Sequence, residues 1–212
     1  YREVMEQCGI TEFLGYEQDS CEAKILAIVP DDDGTFDLFL DKTPFYAESG
    51  GQVGDTGLIT SGANQYQVID TTFALPGLRR HHCRVVSGSL TVNQTVSANI
   101  DSIRRLAIRR HHTATHILHW SLRQVLGEHV KQAGSLVDDE RLRFDFSHYD
   151  AVTDDELLRI EELANSLTLS NEVVDSSESS KDEALEKGAI AFFGDKYGDR
   201  VRVLSAGPSV EL

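Results

Sequence analysis

Thr95-Val96-Ser97-Ala98-Asn99-Ile100 reads as a short strand, and directly after it, at Asp101, the spacing of apolar residues changes. Downstream, Ile103, Leu106, Ile117, Leu118, Leu122, Val125 and Leu126 mark a helix that Asp101 can cap and Gly127 can end. Upstream, the pattern is strand and turn. Lys24 to Val29 is an apolar run stopped by Pro30, and an acidic turn, Asp31 to Gly34, follows. Thr35 to Leu40 alternates at period two, the pattern of a half-buried strand, so Asp31 to Gly34 would close a hairpin. Tyr66 to Phe73 and Cys83 to Val86 read as further strands. Several short strands with turns between them suggest a small β-barrel or sandwich.

Beyond the long helix, Val130 to Val137 and Arg141 to Phe146 read as strands. Thr153 caps a second helix, with Glu156 three residues on as a capping box. Ser176 to Ser180 reads as loop, Ser180 to Lys187 as a short acidic helix, and Arg200 to Leu204 as a last strand. Strand and helix mix here without a βαβ repeat, so the fold class expected is α+β. The expected organisation is a connector over 1–19, a strand-rich domain over 20–100 and an α+β domain over 101–212.

The 212 residues carry a net charge of −15, which argues against a general nucleic-acid coat protein. Between Ala74 and His112, however, lie seven arginines (Arg79, Arg80, Arg84, Arg104, Arg105, Arg109, Arg110), no lysine and one acid, a local net charge of +6. Two readings stay open: a phosphate-binding island, or solvated arginines paired with nearby carboxylates. No stretch reaches the roughly 18 apolar residues of a membrane span. Cys8, Cys21 and Cys83 form no CxxC pair, which points to a reducing, cytoplasmic setting and supplies no cysteine cluster for a metal. The chain opens on Tyr1 without a leader pattern, so it is expected to be part of something longer.

Two clusters can carry chemistry. In His111-His112-Thr113-Ala114-Thr115-His116-Ile117-Leu118-His119, His112, His116 and His119 share a helix face. Imidazoles at i and i+4 can reach one metal ion, and neutral imidazole suits zinc. The run lacks the glutamate of the HExxH motif, so no general base is expected from within it. Remaining ligands would come from His119, a distant carboxylate or residues beyond Leu212. A histidine pair on a helix is also compatible with packing alone. The second cluster, Thr43 to Gly57, holds four glycines in eight residues (Gly50, Gly51, Gly54, Gly57). They allow close backbone approach to a ligand, or a turn between barrel strands. The run matches neither phosphate-loop pattern.

Thr43 to Gly57, His112 to His116, Gly134-Ser135-Leu136-Val137, Leu142 to His148 and Phe193 to Asp199, in this order, resemble the editing domain of the alanyl-tRNA synthetase family over residues 15–212. The resemblance implies a small β-barrel leading into an α+β editing core of antiparallel sheet with helices. It implies hydrolysis of the ester joining serine or glycine to tRNA(Ala), whose acceptor end is the expected partner. His112 and His116 match two of four Zn2+ ligands. The other two are expected just after Ser209-Val210-Glu211-Leu212, so the chain is expected to stop one residue short of the ligand cysteine. Thr115 and Gln132 match positions lining the amino-acid pocket, and Gly50 and Gly51 would close over the terminal adenosine. Arg104, Arg105, Arg109 and Arg110 are the expected tRNA contacts. Joining alanine to tRNA with ATP and Mg2+ would belong to another domain of the parent enzyme. A non-catalytic tRNA-binding module and a freestanding trans-editing protein are the alternatives. The physical need for editing is general: an apolar pocket rejects an added hydroxyl by only about a hundredfold, so a second site must demand that hydroxyl.

Overall fold

The computed structural model describes residues 1–31, 34–180, 183, 200–206 and 209–211, and the fold is α+β. The chain divides into two units, Tyr1–Ile108 and Arg109–Leu212. In the first unit, helix α1 (Arg2–Cys8) and strand β1 (Glu12–Phe13) precede β2 (Ser20–Pro30), β3 (Phe36–Leu40), β4 (Lys42–Thr43), β5 (Gly57–Ser61), β6 (Asn64–Leu75), β7 (Leu78–Ser87) and β8 (Thr95–Ile100). Six strands close an antiparallel barrel in the order β2-β3-β7-β6-β5-β8. Closure removes the unpaired edges that an open sheet would expose. β1 runs parallel to β4 outside it. The barrel interior is filled by alternate residues: Ala23 and Ile25 from β2, Tyr66 and Val68 from β6, and Val96, Ala98 and Ile100 from β8.

β3 departs from the half-buried reading. All five of its residues are buried. Leu38 and Leu40 point to the core, while Asp37 and Phe39 face outward and are covered. Tyr1 covers both: its ring lies 5.7 Å from the Phe39 ring, and its hydroxyl donates to Asp37. His82 Nδ1 at 3.0 Å and Arg80 at 3.7 Å complete the surroundings of the Asp37 carboxylate. The covering residue is 36 positions away in sequence, which local periodicity cannot register. Of the acidic turn, Asp32 and Asp33 lie outside the described residues.

Helix α2 (Ser102–Leu126) follows β8 at once. Asp101 caps it, accepting from the Arg104 backbone N–H at 3.0 Å. Its first turns bury Arg105 and Ile108, and Ile103 and Leu106 are exposed, the reverse of the apolar pattern. In the second unit, β9 (Lys131–Val137) and β10 (Leu142–Ser147) form an antiparallel hairpin with a bulge between Asp145 and Phe146. Helix α3 (Asp154–Ser170) has the full capping box at Thr153 and Glu156 and ends at Asn171 in the left-handed region. Among the described residues, Leu122, Val130 and Ile160 form a buried core cluster of the second unit, with Phe144 and Phe146 packed against them. β11 (Val174–Ser180), β12 (Arg200–Ala206) and β13 (Ser209–Glu211) make a three-stranded sheet. Ser176 to Ser180 is therefore strand, not loop: backbone pairing with β12 overrides a polar sequence. The expected helix over 180–187 lies outside the described residues apart from Ser180 and Glu183, and so does the stretch Phe193 to Asp199.

One buried histidine ties the barrel together. His81 on β7 is fully buried, with Nδ1 at 2.9 Å from the Leu38 carbonyl and Nε2 at 2.8 Å from the Thr43 hydroxyl. Donation from Nδ1 to the carbonyl leaves Nε2 to accept from the hydroxyl, so the neutral ring satisfies both bonds. Burial lowers its pKa from 6.5 to about 4. The unfolded chain takes up this proton below its ordinary pKa and the folded chain does not. The stabilisation is thus complete above that value and is lost as the pH falls toward about 4. Between about pH 7 and pH 5 this group alone costs about 2 kcal/mol of stability. Urea denaturation of the chain and of His81→Gln at both pH values checks this. The variant should lose correspondingly less on acidification, and equal losses would contradict it.

Candidate functional site

The glycine-rich run resolves into two kinds of glycine. Ser49 and Gln52 exchange backbone hydrogen bonds at 3.2 and 3.0 Å, closing a two-residue turn with Gly50 (φ 60°) and Gly51 (φ 84°) at its centre. Positive φ at both central positions is what a type I′ hairpin turn needs. Gly54 is different, because a Cβ there would lie 2.1 Å from the Thr71 carbonyl oxygen. Gly57 likewise abuts the Asn99 carbonyl at 2.2 Å. The turn reading thus describes Gly50 and Gly51, and close barrel packing describes Gly54 and Gly57.

Asp55, in the same run, is buried. Its carboxylate accepts from the Tyr46 N–H at 2.7 Å and from Arg105 Nε at 2.9 Å, with a second bond from Arg105 Nη2. The Arg105 guanidinium also donates to the carbonyls of Gly15 (2.8 Å) and Pro44 (3.0 Å). It is only 8% exposed. Arg105, expected as a tRNA contact, is therefore a buried structural cation and leaves the phosphate-facing set. Other arginines of the island also hold internal partners. Arg79 lies over the Phe13 ring at 4.3 Å, Arg80 donates to Thr72 and Arg84 grips Gln67. Arg104 donates to the Gly54 carbonyl at 2.8 Å. Arg109 and Arg110 are exposed.

The histidine cluster lies in the second unit, on α2. The rings of His112 and His116 have centroids 5.0 Å apart and planes tilted by 41°, one helical turn apart. Both are partly buried, and neutral imidazole is a ligand type that zinc takes. His119 is buried against Phe144 at 5.1 Å instead, and among the described residues no group of three His, Cys, Asp or Glu could hold a metal. His119 therefore packs within the second unit. Thr115 is buried and its hydroxyl donates to the His111 carbonyl at 2.9 Å, leaving its oxygen lone pairs as acceptors. His111 Nδ1 lies 2.7 Å from the Asp138 carbonyl, which joins α2 to the β9–β10 turn. Gln132, on β9 beside the bulge, is half-buried and donates from Nε2 to Ser135 Oγ at 3.2 Å.

A further cluster escaped the sequence reading. His129, His148 and Tyr149 come together at the open end of the β9–β10 hairpin. The signal for it is the strand register: Ser147 pairs with Lys131, so the residues just beyond them meet. Among the described residues, no helix is long and apolar enough to cross a membrane.

Residues 1–104 match the family model described as tRNA synthetases class II (A), a stretch that coincides closely with the barrel unit. The chain is 44% identical to an alanine–tRNA ligase of Wolbachia pipientis wMel over 99% of its own length and 25% of the relative's. It is 46% identical to that of Rhizobium meliloti (strain 1021), over 97% of this chain and 24% of the relative. It is 48% identical to that of Bradyrhizobium diazoefficiens, over 96% and 24%. The chain thus spans about a quarter of the length of the curated relatives it matches.

The arginine assignments separate in a stability measurement. Arg105→Leu strands the Asp55 carboxylate in the interior and should cost about 3–5 kcal/mol. Arg109→Ala and Arg110→Ala should each stay within about 0.5 kcal/mol of the parent chain. Urea denaturation reads both, and an Arg105→Leu cost below about 1 kcal/mol would contradict the buried pair.

Proposed function

From the premise that this chain is homologous over nearly its whole length to a segment of the alanine–tRNA ligases, we propose that it is an editing domain hydrolysing Ser-tRNA(Ala) or Gly-tRNA(Ala). The observation that carries the reading is the His112–His116 pair, two imidazoles 5.0 Å apart on one face of α2, with the buried Thr115 beside them. In this reading His112 and His116 hold half the coordination of a Zn2+ ion, and the remaining ligands come from outside the described residues. When bound, such an ion polarises an ester carbonyl and lowers the pKa of water.

The other residues decide which amino acid is accepted. Thr115 Oγ1 has spent its proton on the His111 carbonyl and offers lone pairs, so a serine hydroxyl can donate to it. The Gln132 side chain supplies the complementary amide. Alanine would leave these groups without its hydroxyl, and an unmet buried polar group costs about 1–3 kcal/mol. The acceptor stem of tRNA(Ala) lies against Arg109 and Arg110, the island's exposed pair on α2, with Arg104 partly committed to Gly54. Ligation of alanine with ATP and Mg2+ belongs to another part of the parent protein, in the cytoplasm. A second reading is a tRNA-binding module without catalysis, which the exposed Arg109 and Arg110 on α2 would serve equally.

Deacylation of serine-charged and alanine-charged tRNA(Ala) by the full-length parent tests the proposal. The wild type should hydrolyse the serine ester and spare the alanine ester. Gln132→Ala and Thr115→Val should each slow serine release by about tenfold or more. Unchanged rates in both variants would overturn these roles.

A further inference from the structure

The cluster at the open end of the β9–β10 hairpin has the chemistry of a base-stacking platform. His129 Nε2 and His148 Nδ1 are 2.8 Å apart, the ring centroids are 5.0 Å apart and the planes differ by 19°. A nitrogen contact that short at that centroid spacing sets the imidazoles edge to edge, joined by a hydrogen bond. Together they make one flat surface wider than either ring. The Tyr149 ring lies over His129 at 4.5 Å and 25°, and Tyr149 is 82% exposed. The three rings, Lys131 and Ser147 line an open cavity of about 460 Å³, the size range of a small-molecule site.

Among the described residues, the core cluster of Leu122, Val130, Ile160 and their neighbours does not include any of the three rings. An exposed tyrosine and two paired imidazoles at the surface offer π-faces, which is what unstacked nucleobases bind. The charge of the setting chooses between base and phosphate. Among the described residues Lys131 is the one lysine or arginine of the lining, and Glu156, its pKa held low chiefly by its hydrogen bonds from Thr153, lies within electrostatic range of this cluster. Asp150 follows Tyr149 directly. With carboxylates on this flank, phosphate attraction is weak and the ring faces must carry the contact.

We propose that His129, His148 and Tyr149 form a stacking site for an unpaired nucleotide of RNA, recognised through its base. The identity of the ligand rests on the tRNA reading above. The site does not rest on the hydrolytic one, since none of its residues is placed in the hydrolytic pocket.

The test is fluorescence anisotropy of a labelled single-stranded hexa-adenylate, titrated with the chain and its variants. Tyr149→Ala should weaken binding by about fivefold or more and Tyr149→Phe should preserve it, because stacking needs the ring and not the hydroxyl. Inorganic phosphate at millimolar concentration should not compete, and a blunt RNA duplex should bind without sensitivity to Tyr149. Tyr149 is exposed, so both variants should fold, and circular dichroism verifies that. As a measurement free of substitution, the imidazole proton resonances of His129 and His148 should shift on titration with hexa-adenylate. Equal affinity of the chain and Tyr149→Ala for the single strand, competition by phosphate, or unmoved histidine resonances would each overturn the site. Deacylation by the parent protein is read in parallel. Binding that does not depend on Tyr149, with serine-ester hydrolysis intact, overturns this inference alone; Tyr149-dependent binding in a parent protein that does not hydrolyse the serine ester overturns the editing reading alone.

Discussion

The buried ion pair between Arg105 and Asp55 is the interaction on which the first unit and the start of α2 depend. A guanidinium taken out of water is tolerated only when its N–H groups find oxygens in good geometry. Here they find the Asp55 carboxylate and the carbonyls of Gly15 and Pro44. Three separate stretches of chain thus converge on the first turn of one helix. Gly15 lies where any side chain would strike the Pro44 carbonyl at 2.2 Å, so the convergence is also sterically tight. Asp55 of the glycine-rich run is therefore an anchor for the first turn of α2.

On α2, one periodicity places two imidazoles one turn apart, and Thr115, between them in sequence, is buried. β9 contributes Gln132 beside a bulge, where a strand re-aims its side chains. In the proposed function these are the parts that the discrimination of a hydroxyl requires. Exclusion by size cannot separate serine from alanine strongly, whereas a buried polar group left unmatched can. The chemistry proposed for the site follows from which residues are polar and buried, not from the fold class, which many unrelated activities share.

Local signals in the sequence carried to the structure where they depend on near neighbours. The strand Thr95–Ile100, the Asp101 cap, the Thr153 and Glu156 capping box and the alternation leading to β10 are such cases. Signals failed where distant chain decides. β3 is buried on both faces because Tyr1 folds back over it. Arg105 is interior because Asp55, fifty residues earlier, meets it. Ser176 to Ser180 is a strand because β12 pairs with it. Within the candidate site, the His112 and His116 pairing was readable from helical spacing, and the separation of His119 was not, since it depends on packing against Phe144 from β10. The His129 and His148 contact joins residues nineteen apart and needs the hairpin register to become visible.

The central claim is that His112 and His116 form half of a metal centre. Its most direct test is the metal content of the full-length parent protein, purified under reducing conditions, by inductively coupled plasma mass spectrometry. The account predicts about one zinc per chain in the wild type, as one tetrahedral site requires, and its loss in both His112→Ala and His116→Ala. A wild type with no tightly held zinc, or both variants retaining a full complement, would contradict it.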